Sequence, residues 1–333
     1  MLEAAGIPEP LFVNGVQQRP VEGVSMAYSF DDALAPERHQ TQYFEMFGNR
    51  GIYHQGWTAV TRHRIPWEFA QTKLPAFVDD VWEFYDTNQD WSQARDVAPE
   101  HPQKLYELQR LWLIEADKHN VLPLDDRAEE RANPDMAGRP QLVKGNRQRL
   151  FGGMGRLTEG SVVNTKNKTH AVTAEIEVPE SGASGVIVAI GGVTGGWSLY
   201  AKDGKVRYCY NFYGLHRYTV ESATRISSGT HQVRMEFDYD GDGIANGGTV
   251  TLYVDGQPDG EGRVEQTEPF VFSADETLDV GDEFGSPVTR DYASPKRFNG
   301  QVNWVEIDVD EAAQDADHFL SPDERLRLIV GLQ

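Results

Sequence analysis

The sequence predicts an α+β unit, an antiparallel sheet subdomain with a C-terminal helix, followed by an all-β jelly-roll sandwich. Residues 43–64 combine aromatic and β-branched residues with glycine-containing breaks, which is typical of a β-hairpin. Residues 102–120 repeat apolar residues at helical spacing, and Pro102 suits the first turn of a helix. Residues 151–310 carry short alternating segments between glycine and aspartate turns, the pattern of a β-sandwich.

Shifts in composition divide the chain into five parts. Residues 1–40 are rich in loops and read as the tail end of an α/β domain. The parts that follow are the α+β subdomain (41–125), a charged linker with prolines and glycines (126–150), the β-sandwich (151–310) and a C-terminal tail with a short helix (311–333). Ser321 is the expected N-cap of that last helix.

The composition excludes several classes of protein. A chain of 333 residues is long enough for two separate cores. Its net charge of -21 argues against nucleic acid or an anionic membrane surface as a partner. No run is long and apolar enough for a transmembrane segment, and MLEAAGIPEP lacks the features of a signal peptide, so the compartment stays open. The single cysteine, Cys209, excludes an internal disulfide and a cysteine-rich zinc site.

Asp238, Asp240 and Asp242 form the sharpest local motif, because carboxylates at alternating positions with glycines resemble the start of a calcium loop. The bidentate glutamate of such a loop is missing, since Thr249 stands at its position. The motif also lies between two predicted strands. A hairpin turn and a bound Ca²⁺ ion are therefore both open interpretations.

Arg50, His54 and His63 lie in a locally basic stretch of this acidic protein. They are candidates for a substrate cleft or an anion site that binds sulfate or phosphate. The alternative is that these cations pair with the many carboxylates of the chain.

His216, with Tyr213 and Tyr218, suggests a sugar-binding surface, because aromatic faces stack on sugar rings. Packing in the core or at the surface is the alternative. The motifs of serine hydrolases, zinc proteases and P-loop enzymes are absent from the sequence. The residues by themselves therefore indicate no catalytic centre.

Residues 43–57, YFEMFGNRGIYHQGW, are very similar to a hairpin of bacterial arylsulfatases. Residues 82–97 resemble the strand and loop that follow in that family, and HPQKL at 101–105 resembles the start of its last helix. MLEAAGIPEP at 1–10 and VEGVSM at 21–26 resemble segments that precede the hairpin. The resemblance thus covers residues 1–125 and is specific.

Residues 151–310 resemble the concanavalin- or laminin-G-like jelly roll that large arylsulfatases carry at their C-terminal end. The segment 239–256 is similar to one of its hairpins, in which the family has glycines where this chain has Asp242. The resemblance therefore favours a hairpin over a calcium loop.

The resemblance implies that the full-length enzyme hydrolyses sulfuric esters. In that family a formylglycine, made from the cysteine or serine of a C/S-x-P-x-R motif, attacks sulfur. Aspartate and asparagine side chains hold a divalent cation, usually Ca²⁺. Cys209 precedes Tyr-Asn-Phe and Ser321 precedes Pro-Asp, so neither matches the motif. No catalytic residue is assigned to this chain.

Two hypotheses follow. In the first, the chain is the C-terminal portion of an arylsulfatase and is not catalytic alone. Its partner is the N-terminal sulfatase domain, and the substrate of the whole enzyme is a sulfate ester. In the second, it is a free-standing module that binds a carbohydrate or a sulfated glycan.

Overall fold

The computed structural model describes residues 1–13, 16–65, 74–127, 129–138, 141–293 and 296–314. The chain divides into unit 1, Met1–Ala128, and unit 2, Glu129–Gln333. Each unit has its own hydrophobic core. The helix predicted near Ser321 lies outside the described residues. Within the described ranges, no helix is both long and apolar enough to cross a lipid bilayer.

Unit 1 is an antiparallel sheet with one long helix on it. Its strands are β1 Phe12–Val13, β2 Val16–Gln17, β3 Thr41–Met46, β4 Asn49–His54, β5 Trp57–Thr61 and β6 Trp82–Asp86, and its helix is α1 Pro102–Lys118. Strands β1 and β2 pair with each other, and β3 to β6 form a four-stranded sheet in sequence order. Short 3-10 helices lie at Glu3–Ala5, Ala27–Ser29 and Phe77–Asp79.

Register explains which face of the four-stranded sheet is buried. Ile52 pairs with Ala59, and Ala59 pairs with Phe84, so the three side chains share one face. They are fully buried against residues of α1 spaced four apart: Leu108, Trp112 and Ala116. The Trp112 indole Nε1–H also donates to the Phe44 carbonyl at 3.0 Å. The second face of the sheet leaves Phe44 and Met46 exposed.

Unit 2 is a sandwich of two antiparallel sheets, as the alternating pattern predicted. Its strands are β7 Arg147–Phe151, β8 His170–Val178, β9 Gly185–Gly192, β10 Gly195–Lys202, β11 Lys205–Phe212, β12 His216–Glu221, β13 Gly229–Tyr239, β14 Gly248–Val254, β15 Gln257–Val264, β16 Leu278–Val280 and β17 Gln301–Val309. One sheet has the order β12-β11-β10-β9-β16 and the other β15-β14-β13-β8-β17-β7. The fold class of a β-sandwich of the jelly-roll type is confirmed by this pairing.

The core of unit 2 lies between the two sheets. Large apolar side chains fill it from both sides, among them Trp197, Leu199 and Tyr208 from one sheet and Ile176, Met235 and Phe237 from the other. Alternate residues of the five-stranded sheet, such as Tyr200 and Cys209, point the other way. We call the face that they form the outer face.

Several elements fall within the predicted linker of residues 126–150. A 3-10 helix spans Glu129–Ala132, helix α2 spans Pro134–Ala137, and β7 begins at Arg147. The Asn133 side-chain amide donates to the Pro269 carbonyl at 2.7 Å, which ties this segment to the sandwich. Unit 2 accordingly begins before residue 151. Further 3-10 helices span Glu159–Ser161 and Asp310–Gln314.

Candidate functional site

Two of the predicted anion-binding residues, Arg50 and His63, share one buried carboxylate. The Arg50 guanidinium forms an ion pair with Asp80, and His63 Nδ1 lies 3.0 Å from Asp80 Oδ1. His63 Nε2 is 3.2 Å from Asp126 Oδ2. The Phe77 ring stacks on the imidazole at a centroid distance of 4.2 Å. This arrangement favours the interpretation that the cations pair with carboxylates of the chain.

His54 lies apart from that network. Its Nδ1 is 2.8 Å from Thr41 Oγ1, on the neighbouring strand β3. The three candidate residues therefore do not converge on one anion site.

Two of the three carboxylates proposed for calcium, Asp238 and Asp240, also have other partners. Asp240 forms an ion pair with the Arg263 guanidinium, which lowers the pKa of Asp240 mainly through a side-chain hydrogen bond. Asp238 Oδ1 accepts from Thr169 Oγ1 at 3.4 Å. Within the described ranges there is no group of three or more His, Cys, Asp or Glu residues that could hold a metal ion. The residues present do not fit a Ca²⁺ ion.

The turn between β11 and β12 presents an exposed tyrosine in a left-handed conformation. Tyr213 has φ of 49° and is 44% exposed, and Gly214 follows with φ of 69°. Phe212 pairs with His216, so the loop has three residues, and Leu215 N–H donates to the Phe212 carbonyl at 2.9 Å. Two positive φ angles in succession fit the central residues of a type I′ turn, where asparagine or aspartate is the usual first residue. A bulky aromatic side chain there is costly unless its surroundings hold it.

Buried polar side chains supply that support. Tyr213 N–H donates to Glu268 Oε1 at 2.5 Å, and Gly214 N–H donates to Asn211 Oδ1 at 3.0 Å. Asn211 is fully buried, and its amide donates to the carbonyls of Gly192 and Val193 at 2.7 and 3.1 Å. The turns β9–β10 and β11–β12 are thereby tied together.

Glu268 is fully buried, and burial raises its pKa to about 8. The hydrogen bond from Tyr213 N–H opposes the shift, the charge of Glu159 adds to it, and that of Lys166 lowers it. Glu268 N–H donates to the Tyr210 hydroxyl at 2.8 Å. Among the residues that the structure describes, Oε2 of Glu268 has no hydrogen-bond partner. A carboxyl in this position is protonated over much of the neutral range.

Exposed side chains surround the β11–β12 turn. Val193, Tyr213, Leu215 and His216 are all exposed, and we call them the turn surface. The backbone of Val193 approaches Gly214 closely: a Cβ on Gly214 would lie 2.9 Å from the Val193 carbonyl oxygen. Tyr218 is half-buried, with its ring centroid 6.4 Å from that of His216. From the sequence, His216, Tyr213 and Tyr218 were candidates for either a sugar-binding surface or ordinary packing. The supporting Asn211 and Glu268 were not identified, because no local motif distinguishes them.

The outer face of the five-stranded sheet is covered by the chain itself, through residues 282–293, which we call the covering segment. Asp291 of this segment accepts hydrogen bonds from the Tyr200 hydroxyl at 2.6 Å, Lys202 Nζ at 3.0 Å and Arg207 Nη1 at 2.6 Å. Burial alone would raise the pKa of Asp291, but these hydrogen bonds and the charge of Arg207 hold it at about 2.

Tyr292 lies beside Asp291 on the same face. Its hydroxyl is 2.7 Å from Ser198 Oγ, and its ring packs edge-on against Tyr200 at a centroid distance of 5.1 Å. Burial raises the pKa of Tyr292, and the charge of Glu283 adds to the shift. Val288 of the covering segment is fully buried, and its carbonyl accepts from Arg217 Nε at 2.9 Å.

No protein-family model matches the chain. No curated protein matches it significantly either. Among solved structures it is similar to the CBM40 of the Ruminococcus gnavus IT-sialidase bound to α2,6-sialyllactose, with 15% identity and a TM-score of 0.33, covering 57% of this chain and 99% of that one. It is also similar to domains LG4-5 of the mouse laminin α1 chain, with 21% identity and a TM-score of 0.30, covering 52% of this chain and 44% of that one.

A further similar structure is domain 4 of AbnA, a GH43 extracellular arabinanase of Geobacillus stearothermophilus, in complex with arabinotriose. It shares 16% identity at a TM-score of 0.33, covering 53% of this chain and 82% of that one. The strand pairing of unit 2 by itself identifies it as a β-sandwich.

Proposed function

We propose that unit 2 is a non-catalytic carbohydrate-binding module whose ligand contacts the turn surface. The observation that carries this proposal is Tyr213, an exposed aromatic residue held in a left-handed conformation at the tip of a hairpin. Strained, solvent-exposed positions that a protein supports with buried polar groups are enriched at binding sites. The backbone that carries the aromatic ring is held in place by Glu268 and Asn211, and the exposed ring offers a face on which a sugar ring can stack.

The side chains beside Tyr213 fit the same purpose. His216 brings a ring that can donate or accept hydrogen bonds, while Val193 and Leu215 add exposed apolar area next to it. Saccharides present apolar C–H faces and hydroxyl groups together, so a mixed surface of this kind suits them. The buried Glu268 and Asn211 keep both turns in place.

Binding to immobilised glycans tests the proposal. The Tyr213→Ala variant is expected to weaken binding by roughly tenfold, the loss of one aromatic contact. Tyr106→Ala is the matched control, because Tyr106 is also an exposed tyrosine, on α1 in unit 1. The proposal fails if the unsubstituted chain binds no glycan, or if Tyr213→Ala and Tyr106→Ala bind alike.

A second proposal concerns unit 1, and the sequence of its hairpin favours it. We propose that the chain is the C-terminal portion of a sulfuric ester hydrolase and that unit 1 packs on the catalytic domain of that enzyme. Two features support this proposal. One is the stretch YFEMFGNRGIYHQGW of the hairpin, and the other is the sheet face opposite α1, on which Phe44 and Met46 are exposed. A cavity of about 1080 Å³ lies over that face, lined in part by Phe44, Met46 and Val60.

On this proposal the formylglycine and the Ca²⁺ ligands belong to the catalytic domain. The chain alone is then expected not to hydrolyse nitrophenyl sulfate, whereas a formylglycine-bearing sulfatase domain is expected to co-purify with it. The double variant F44D/M46D should abolish co-purification, because it places charge on the packing face. Tyr106→Asp, on the solvent side of α1, is the control. Sulfatase activity of the chain alone would overturn this second proposal.

A further inference from the structure

Asp291 and Tyr292 occupy the outer face of the five-stranded sheet as a bound ligand would. Both carboxylate oxygens of Asp291 accept hydrogen bonds. Oδ2 accepts from the Tyr200 hydroxyl and Arg207 Nη1, and Oδ1 accepts from Lys202 Nζ. Three donors from two adjacent strands thus converge on one carboxylate. This is how proteins recognise a ligand carboxylate, with charged donors and a hydroxyl in fixed positions.

Two of the donors are also held by contacts outside the covering segment. Tyr200 lies on β10, whose backbone is paired on both sides, with β9 and β11. Arg207 is also bound to Glu221 through Nε at 2.6 Å, which fixes the guanidinium independently of Asp291. Burial lowers the pKa of Arg207, but the hydrogen bonds that it donates to Asp291 and Glu221 outweigh this effect and raise the pKa overall. The sheet thus holds the backbone of Tyr200 and the guanidinium of Arg207 in place.

Tyr292 extends the likeness from a carboxylate to an acidic sugar. Its six-membered ring lies next to the Asp291 carboxylate and packs edge-on against Tyr200, and its hydroxyl is hydrogen-bonded with Ser198 Oγ. A uronic acid carries the same groups: a six-membered ring, hydroxyls and a carboxylate. The buried Ser198 and Tyr200 would provide a hydroxyl partner and an aromatic contact for such a ring.

We propose that the outer face of the five-stranded sheet is a binding site for a uronic-acid-containing saccharide, and that Asp291 and Tyr292 fill it as an intrachain mimic. The saccharide gains access when the covering segment is displaced. Because displacement competes with binding, the apparent affinity of the intact chain is lower than that of a chain without the mimic. This site does not involve Tyr213, so it stands or falls separately from the turn surface.

The experiment compares the intact chain with the Asp291→Ala variant, using glucuronate as the probe and glucose as its neutral counterpart. Thermal unfolding is followed at increasing probe concentration. Asp291→Ala is expected to bind glucuronate at least roughly tenfold more tightly than glucose, because its three donors regain a carboxylate. The double variant D291A/R207M is expected to lose this preference.

Asp240→Ala is the matched control, because it removes a carboxylate from another arginine, Arg263, on the exposed surface. It should show no selective response to glucuronate. Inorganic sulfate is the second arm. If sulfate stabilises D291A as well as glucuronate does, the face takes simple anions and the saccharide proposal is overturned.

Hydrogen exchange tests displacement in the unsubstituted chain. An oligosaccharide of galacturonate is expected to increase exchange in peptides from residues 282–293, while a neutral oligosaccharide of the same length does not. Unchanged exchange in the presence of the acidic oligosaccharide overturns the mimic, because the covering segment is then a permanent part of the fold. The Tyr213→Ala variant should respond as the unsubstituted chain does.

Discussion

The carboxyl group of Glu268 lies directly against the backbone of Gly195, and a Cβ at residue 195 would come within 2.2 Å of Glu268 Oε1. Glu268 is fully buried and cannot withdraw into solvent. The Gly195→Ala variant is therefore expected to lose about 1–3 kcal/mol of unfolding free energy through overpacking. Urea denaturation measures the loss.

Gly160→Ala is the control for that variant. A Cβ on Gly160 would meet nothing within 4 Å, so the change should stay within about 0.5 kcal/mol. Equal stabilities of the two variants would contradict the close packing of Glu268 on Gly195.

The buried Glu268 should make the stability of unit 2 depend on pH. Its pKa rises from 4.5 to about 8 on folding, so the folded state keeps a proton that the unfolded state releases. The contribution of Glu268 to stability is therefore fully present below pH 4.5 and is lost as pH rises through about 8. Glu268→Gln, which stays neutral, is expected to flatten this decline in urea titrations across the same range.

Burial also raises the pKa of Glu283, to about 7, so part of the decline remains in Glu268→Gln. The informative quantity is the difference between the two chains. If that difference does not change with pH, Glu268 ionises in the folded state as it does in the unfolded one.

Asp80 should be a determinant of the stability of unit 1. Its side chain is fully buried between Arg50 and His63, and Arg50 is itself only 10% exposed at the side chain. Asp80→Ala leaves the guanidinium without its partner, which is expected to cost about 3–5 kcal/mol. The neighbouring Asp79→Ala serves as control, since Asp79 is exposed. Thermal unfolding followed through the tryptophans of unit 1 should separate the two variants.

Calcium should leave the chain unchanged. Asp240 is bound to Arg263 rather than directed toward Asp238, so adding or chelating Ca²⁺ is expected not to shift the unfolding temperature. Asp240→Ala should also be nearly neutral, because the ion pair is exposed. A rise in unfolding temperature with Ca²⁺ that Asp240→Ala removes would restore the calcium loop.

Local sequence signals predicted the parts of the fold that local physics determines. Glycines at the turns and the β-branched segments marked the hairpin, and Pro102 marked the start of α1. Alternation marked β8 and β13, whose apolar faces are buried. Strand β15 could not be identified in this way, because apolar and polar residues do not alternate in its sequence QPDGEGRV. It lies at the edge of its sheet and pairs with β14 alone.

The support of the candidate sites could not be predicted, since it depends on contacts between distant residues. The sequence TEPF around Glu268 reads as an exposed acidic loop, and glutamate is seldom fully buried. Asp291 and Arg207 lie 84 residues apart, so nothing in the local sequence of either indicates the other. Only the pairing of β10 with β11 brings the partners of Asp291 onto one face.

The position of β17 determines the order in which the chain can fold during synthesis. This strand pairs with both β7 and β8, so the six-stranded sheet lacks a member until residues 301–309 have left the ribosome. Unit 1 pairs only strands that precede residue 87 and can fold well before that moment. A nascent chain that stalls within unit 2 would therefore expose the unpaired edges of β7 and β8 to aggregation, while its first unit is already compact.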